Sequence, residues 1–250
     1  MNADPPAIHI GTSGWHYPHW RGVFYPESLN TRQWLGHYAR HFPCVEINNS
    51  FYRLPGQTTF AQWREQTPRG FAFSVKAPQG ITHRRKLRNC RDSLARFLEH
   101  AAALEEKLAV ILFQLPPRWH CNARRLADFL ALLPPHLPCA FEFRDPDWHN
   151  ETVYALLRDH GAAFCIFELG ELRTPLVSTA GHVYVRLHGP AGPYAGSYSP
   201  ARLRTWAEKL RCWQSQGKTV WLFFDNDQAG YAVKNARLLT KLVQEGTNTA

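Results

Sequence analysis

The sequence predicts a single (β/α)8 barrel, one domain over residues 1–250 with the barrel proper running from about residue 8 to 245. Three observations predict it. Eight short apolar runs recur along the chain, each ending in a polar cluster. Helical patterns fall between most of them. The first run is not followed by the Gly-rich phosphate loop of an open, doubly wound sheet: Gly11-Thr-Ser-Gly14 leads into Trp15-His-Tyr-Pro18 rather than into a helix. At 250 residues the chain is long enough to bury a sizeable core without disulfides or metal.

The predicted strands, in order, are Ile8–Gly11, Val45–Asn48, Phe71–Lys76, Ala109–Gln114, Ala140–Arg144, Ala163–Phe167, Val183–His188 and Val220–Asp225. Their near-continuous apolar character is that of parallel strands covered on both faces. Helices are predicted over Leu29–His41, Thr59–Gln66, Cys90–Leu104, Ala123–Leu133, Thr152–His160, Ala201–Gln216 and Gly230–Gln244. Thr31 to Leu35 reads as a capped helix start. Ser199-Pro200 supplies an N-cap followed by proline at the first helical position, and Gly161 and Gly217 each stop a helix before a strand. No clear helix separates the sixth and seventh runs; Leu169–Gly181 reads as a loop or short irregular element.

Composition narrows the function classes. Hydrophobic residues make up 44% of the chain and charged ones 20%, which is folded rather than disordered protein. The formal net charge of +9 favours anionic partners such as nucleic acid, phosphorylated metabolites or acidic surfaces. Six cysteines form no C-x-x-C pair and no zinc spacing, so they read as reduced thiols of a cytoplasmic protein. Met1 to Ala7 has neither the basic start nor the apolar stretch of a signal peptide, and no apolar run approaches the ~20 residues a membrane helix needs. A cytoplasmic monomer without membrane contact is the expectation.

Strand parity picks the candidate site, because successive side chains point to opposite faces. The large aliphatic and phenyl face belongs against the helices. The other face points into the barrel, and its charged members gather at the strand C-termini, where barrel active sites lie. Parity thereby selects Glu46, Asn48, Lys76, Gln114, Glu142, Arg144, Arg186, His188 and Asp225 for one mouth. Burying six charges costs several kcal/mol per ion unless they are well paired. The set is therefore either a ligand site or a self-satisfied ion-pair lattice that plugs the barrel.

Loops after the strands add aromatic and basic groups. Trp15 and Tyr17 follow the first strand, Tyr52 the second, and Asp227 the eighth. Rings interspersed with hydrogen-bonding groups suit a sugar or a base. Thr82-His83-Arg84-Arg85-Lys86-Leu87-Arg88, after the third strand, is the densest basic run; it is either a solvated face or a source of positive potential at the mouth.

Several of these motifs together resemble a known family. Ile10-Gly-Thr-Ser-Gly-Trp15, Val45-Glu-Ile-Asn-Asn-Ser-Phe-Tyr-Arg-Leu-Pro55, Phe113-Gln-Leu-Pro-Pro117, Phe141-Glu-Phe-Arg144, Tyr184-Val-Arg-Leu-His-Gly-Pro190 and Phe224-Asp-Asn-Asp227 resemble the YecE-like family, domain of unknown function seventy-two, from about Ile8 to the final helix. The resemblance implies a TIM barrel and no established activity. It implies functional positions at Glu46, Asn48, Lys76, Gln114, Glu142, Arg144, Arg186, His188, Asp225 and Asp227. At the end of the sixth strand many members carry aspartate where this chain has Glu168, which leaves the role of Glu168 open.

Two functions compete. The favoured one is an enzyme, a hydrolase or lyase acting on an anionic, phosphate- or nucleic-acid-like substrate. In it Glu46, Glu142, His188 and Asp225 are the catalytic candidates. Trp15, Tyr17, Asn48, Tyr52, Lys76, Gln114, Arg144, Arg186 and Asp227 would bind substrate. The other is a nucleotide- or nucleic-acid-binding protein without turnover. No cofactor is expected. A divalent metal held by Glu46, Glu142, His188, Asp225 and Asp227 is the minor alternative, disfavoured because Arg144 and Arg186 share the mouth.

Overall fold

The computed structural model describes residues 7–135 and 137–247, so the N-terminal reading of Met1 to Ala7 falls almost wholly outside the described residues. Among the described residues, nine strands form one sheet: β1 (Ile8–Ser13), β2 (Cys44–Ile47), β3 (Ala72–Lys76), β4 (Leu108–Leu115), β5 (Cys139–Phe143), β6 (Ala163–Leu169), β7 (Leu172–Arg173), β8 (His182–Leu187) and β9 (Thr219–Phe224). Their hydrogen-bonded order is β5-β4-β3-β2-β1-β9-β8-β6-β7, and β5 also pairs with β6. Eight parallel strands thus close on themselves as a (β/α)8 barrel. The two-residue β7 is an antiparallel addition on β6.

The helices are α1 (Trp34–Ala39), α2 (Asn49–Tyr52), α3 (Gln57–Glu65), α4 (Arg91–Ala101), α5 (Ala123–Leu130), α6 (Glu151–Asp159), α7 (Pro200–Ser215) and α8 (Tyr231–Thr247). None is long and apolar enough to cross a membrane. Local chemistry explains most boundaries. The Ser199 side chain accepts from the Arg202 N–H and caps α7, with Pro200 in its first turn. Gly161 and Gly217 have φ of 63° and 79°, the left-handed stop of α6 and α7.

Three expected helices come out shorter; the one over Ala123–Leu133 ends at Leu130. Over Leu29–His41 the cap is Asn30, whose side chain accepts from the Arg32 N–H; a 3₁₀ turn follows, and α1 begins only at Trp34. Over Cys90–Leu104 the α-helix ends at Ala101. A 3₁₀ segment continues to Lys107, broken at Glu105 by φ of 50°. The single turn of α2 was not anticipated from sequence. Between β6 and β8 there is no helix. Thr179 Oγ1 accepts from the Phe164 N–H at 2.8 Å and donates to the Ala162 carbonyl at 2.7 Å, tying that loop to β6.

The chain folds into two compact units. The first comprises residues 1–45, 166–173 and 181–250; the second comprises 46–165 and 174–180. In the first, Gly11 allows a close approach of backbones: a Cβ there would lie 2.2 Å from the Cys44 carbonyl oxygen. The Tyr38 hydroxyl, fully buried, accepts from the Thr12 N–H and donates to the Cys44 carbonyl. In the second unit, Phe113 of β4 and Phe141 of β5 both pack against Phe129 of α5, and Tyr154 of α6 packs against Phe164. The phenyl face of these strands therefore meets the helices, as parity requires.

Candidate functional site

Most of the polar residues selected by parity fall into one cluster in each unit, at the C-terminal ends of its strands. In the first unit β8 and β9 run in register, Tyr184 beside Trp221 and Arg186 beside Phe223. One step further on, Asp225 accepts through Oδ2 from Arg186 Nη2 at 2.9 Å, and His188 Nδ1 lies 2.9 Å from the same oxygen. Arg186 Nη1 lies 3.3 Å from His188 Nε2, and its Nη2 lies 3.4 Å from Ser13 Oγ. A guanidinium has no acceptor, so it can only donate to Nε2 of His188. Arg186 and His188 are 0% exposed and Asp225 6%. The Arg186–Asp225 ion pair and the His188 ring beside it are thus buried together.

Around this triad the first unit adds supports. Phe167 and Tyr194 meet the His188 ring edge-on. Glu168, whose role the sequence left open, is buried and ion-paired to Arg202 of α7, while its carbonyl accepts from the His188 N–H. Asp227 is half-buried; its carbonyl accepts from Trp20 Nε1 and contacts His19 Nε2, and its carboxyl lies 3.4 Å from His19. Burial, and next the Asp225 charge, raise the Asp227 pKa. The Tyr17 hydroxyl donates to the Ser13 carbonyl and the Trp15 carbonyl accepts from Tyr25, so both rings brace the loop after β1. Asn226, missed by the sequence reading, is fully buried. Its amide donates to Asn235 of α8 and to the Gly196 carbonyl, holding the loop after β8.

The second unit holds a more open cluster. Gln114 and Glu142 are register partners on β4 and β5. The Glu142 carboxylate is fully buried, ion-paired to Arg144 Nε, with Cys165 Sγ 3.8 Å from its other oxygen. Lys76, half-buried at the end of β3, sets Nζ 4.4 Å from the Phe51 ring centre. The edge of the same ring meets His83 at 4.8 Å. His83 is the residue that sequence reasoning missed, having counted it only as part of a basic run. Burial pushes its pKa from the ordinary 6.5 down to about 4; Lys76 and then Arg144 push the same way, against Glu142. His83 is thus neutral at pH 7, with Nδ1 2.9 Å from Thr82 Oγ1.

The remaining candidates take different positions. Glu46 is fully buried on β2. Asn48 Oδ1 is buried with no hydrogen-bond partner among the described residues. Tyr52 is 77% exposed, its ring against Phe51 alone among the described aromatic contacts. Among the described residues, no three of His, Cys, Asp and Glu gather as a metal-binding group.

Comparison with known proteins agrees with this architecture. A solved DUF72 family protein from Thermotoga maritima is 29% identical and superposes with a TM-score of 0.85, covering 95% of this chain and 99% of its own. One from Enterococcus faecalis, 21% identical, shares the fold at a TM-score of 0.81, covering 95% of each chain. The UPF0759 protein YunF of Bacillus subtilis is 28% identical across 94% of both chains. YecE of Escherichia coli is 34% identical over 56% of this chain and 50% of its own length. The family model described as "Protein of unknown function DUF72" matches residues 9–250, and the chain belongs to that family.

Proposed function

We propose that this protein is an enzyme of hydrolase or lyase type acting on an anionic, phosphate-bearing or nucleic-acid-like substrate, with its chemistry at the cluster of Lys76, His83, Glu142 and Arg144. One observation carries the reading: a neutral, half-buried histidine flanked by two cations, one of them anchored by a buried carboxylate. Lys76 and Arg144 bind the anion, and Glu142 fixes the Arg144 guanidinium. Asn48 Oδ1, a buried acceptor lacking a partner among the described residues, takes a substrate hydroxyl or amino group. Because desolvation and neighbouring positive charge depress the His83 pKa, a bound dianion raises it. The imidazole then accepts a proton when substrate is present.

Arg186, His188 and Asp225 position the strand ends in this reading and do no proton transfer, since all three are buried and Asp225 is paired with Arg186. The protein works as a cytoplasmic monomer; its six cysteines are all free thiols. The competing reading, nucleotide or nucleic-acid binding without turnover, draws on the net charge of +9.

The test is product formation from a panel of phosphate monoesters, phosphodiesters and short oligonucleotides, with wild type, His83→Ala and Arg144→Ala. Turnover that falls at least 100-fold in His83→Ala, with binding retained, supports the proposal. Binding with steep salt dependence and no product from any substrate establishes the binding protein instead. Turnover unchanged in both variants moves the chemistry elsewhere.

A further inference from the structure

Outside the barrel cluster, the second unit contains a cavity of about 560 Å³ whose charged lining is Arg88, Arg91, Arg124, Arg125 and Asp128. The volume is that of a small-molecule site. Two short stretches supply the wall, residues 87–91 before and into α4 and residues 122–132 along α5. Four arginines face one aspartate, a net charge of +3. None of the four forms an ion pair among the described residues, and Arg88, Arg91 and Arg124 are exposed. Concentrating guanidiniums without counter-charges raises their mutual repulsion, which a bound anion relieves.

We infer that this cavity binds a small ligand carrying two or more phosphate charges. Guanidinium forks match phosphate oxygens pairwise, and four of them exceed what a single carboxylate or monoanion can neutralise. Leu87 and Leu132 give the non-phosphate part an apolar wall. Arg125 is held in place by the Trp119 ring, with its Cζ 5.8 Å from the ring centre. Arg91 lies in the first turn of α4, and Arg124 and Arg125 in the first turn of α5. The lining contains no aromatic ring on which a base could stack, so a compact oligophosphate suits it better than a nucleic-acid strand. Loop 86–89 is built for this wall at a conformational cost: Lys86, Leu87 and Asn89 have φ of 45°, 64° and 48°.

The site shares no lining residue with Lys76, His83, Glu142 or Arg144, so it stands or falls separately from the proposed chemistry. The probe is inorganic pyrophosphate, followed by calorimetry and thermal shift at physiological ionic strength, with orthophosphate, sulfate and a ten-nucleotide single strand alongside. Pyrophosphate should bind wild type and His83→Ala alike, lose at least tenfold in affinity in the Arg91→Ala/Arg124→Ala double variant, and bind more tightly to Asp128→Asn. The Asp128→Asn arm serves if the double variant fails to fold. Equal affinity in wild type and every charge variant overturns the inference, as does no pyrophosphate binding at all. Preference for the oligonucleotide over pyrophosphate also overturns it, in favour of a strand-binding surface.

Discussion

The Arg186–His188–Asp225 triad and the Lys76–His83–Glu142–Arg144 cluster arise from the same rule and end in different states. Each gathers ionisable side chains at or just past strand C-termini. In the triad, every group is buried and one carboxylate oxygen serves both a guanidinium and an imidazole. In the second cluster Glu142 is fully buried and the Arg144 side chain nearly so, while Lys76 and His83 are half-buried and keep contact with solvent. The difference teaches that a charged layer in a barrel can be scaffold or site. What separates the two is burial: Arg186 and His188 are fully buried, whereas Lys76 and His83 reach solvent.

The largest test of that contrast is Asp225→Ala. Removing the shared carboxylate strands a buried guanidinium, so stability should fall by about 3–5 kcal/mol in chemical denaturation. His83→Ala, in the open cluster, should cost less than about 1 kcal/mol at pH 7, since the ring is neutral and reaches solvent. Equal losses would erase the distinction between scaffold and site.

Gly189→Ala should cost about 1–3 kcal/mol. Gly189 has φ of 115°, and a Cβ there would meet the Ala195 carbonyl oxygen at 2.3 Å. It follows His188 directly, so the substitution disturbs the triad through the backbone alone. A neutral result would mean that the loop after β8 can shift without affecting the scaffold.

A smaller effect isolates His83 by pH. The folded-state pKa of His83, about 4, lies below its unfolded value of 6.5. Its contribution to stability is therefore present above about pH 6.5 and lost as pH falls through 4. Denaturation midpoints measured between pH 7 and 4 should decline less in His83→Ala than in wild type. An NMR titration should show the ring still neutral at pH 5.5. Protonation near 6.5 would mean the ring is more exposed than the structure has it.

Tyr52→Ala should change stability by no more than about 0.5 kcal/mol, because the ring is 77% exposed. A clear loss of ligand affinity with unchanged stability would mark Tyr52 as a ring that closes over substrate.

Sequence reasoning was most reliable where a pattern is local. Eight apolar runs became eight parallel strands, with ends displaced by one or two residues, because burial on both faces demands continuous apolar character. Ser199, Gly161 and Gly217 act where the sequence put them, since caps depend on a few adjacent residues. The helix expected over Cys90–Leu104 breaks up after Ala101 for a reason no propensity carries. Lys107 turns inward there, and its ammonium donates to the Arg64 and Thr67 carbonyls. His83 escaped notice because its importance comes from Lys76, Phe51 and Arg144, each on a different segment. Tyr52 looked like a lining ring from sequence, and the turn of α2 carries it into solvent.

By itself, the sequence determined the strand number, the closed parallel class and the surplus of positive charge. All follow from periodicity and composition, which are properties of the chain read in order. Only the tertiary structure decided which charges pair, which stay open to solvent and that His83 is held neutral. Those outcomes depend on distances of a few ångströms between residues far apart in sequence. Coulombic and desolvation energies change by several kcal/mol over such distances, and no local pattern encodes them.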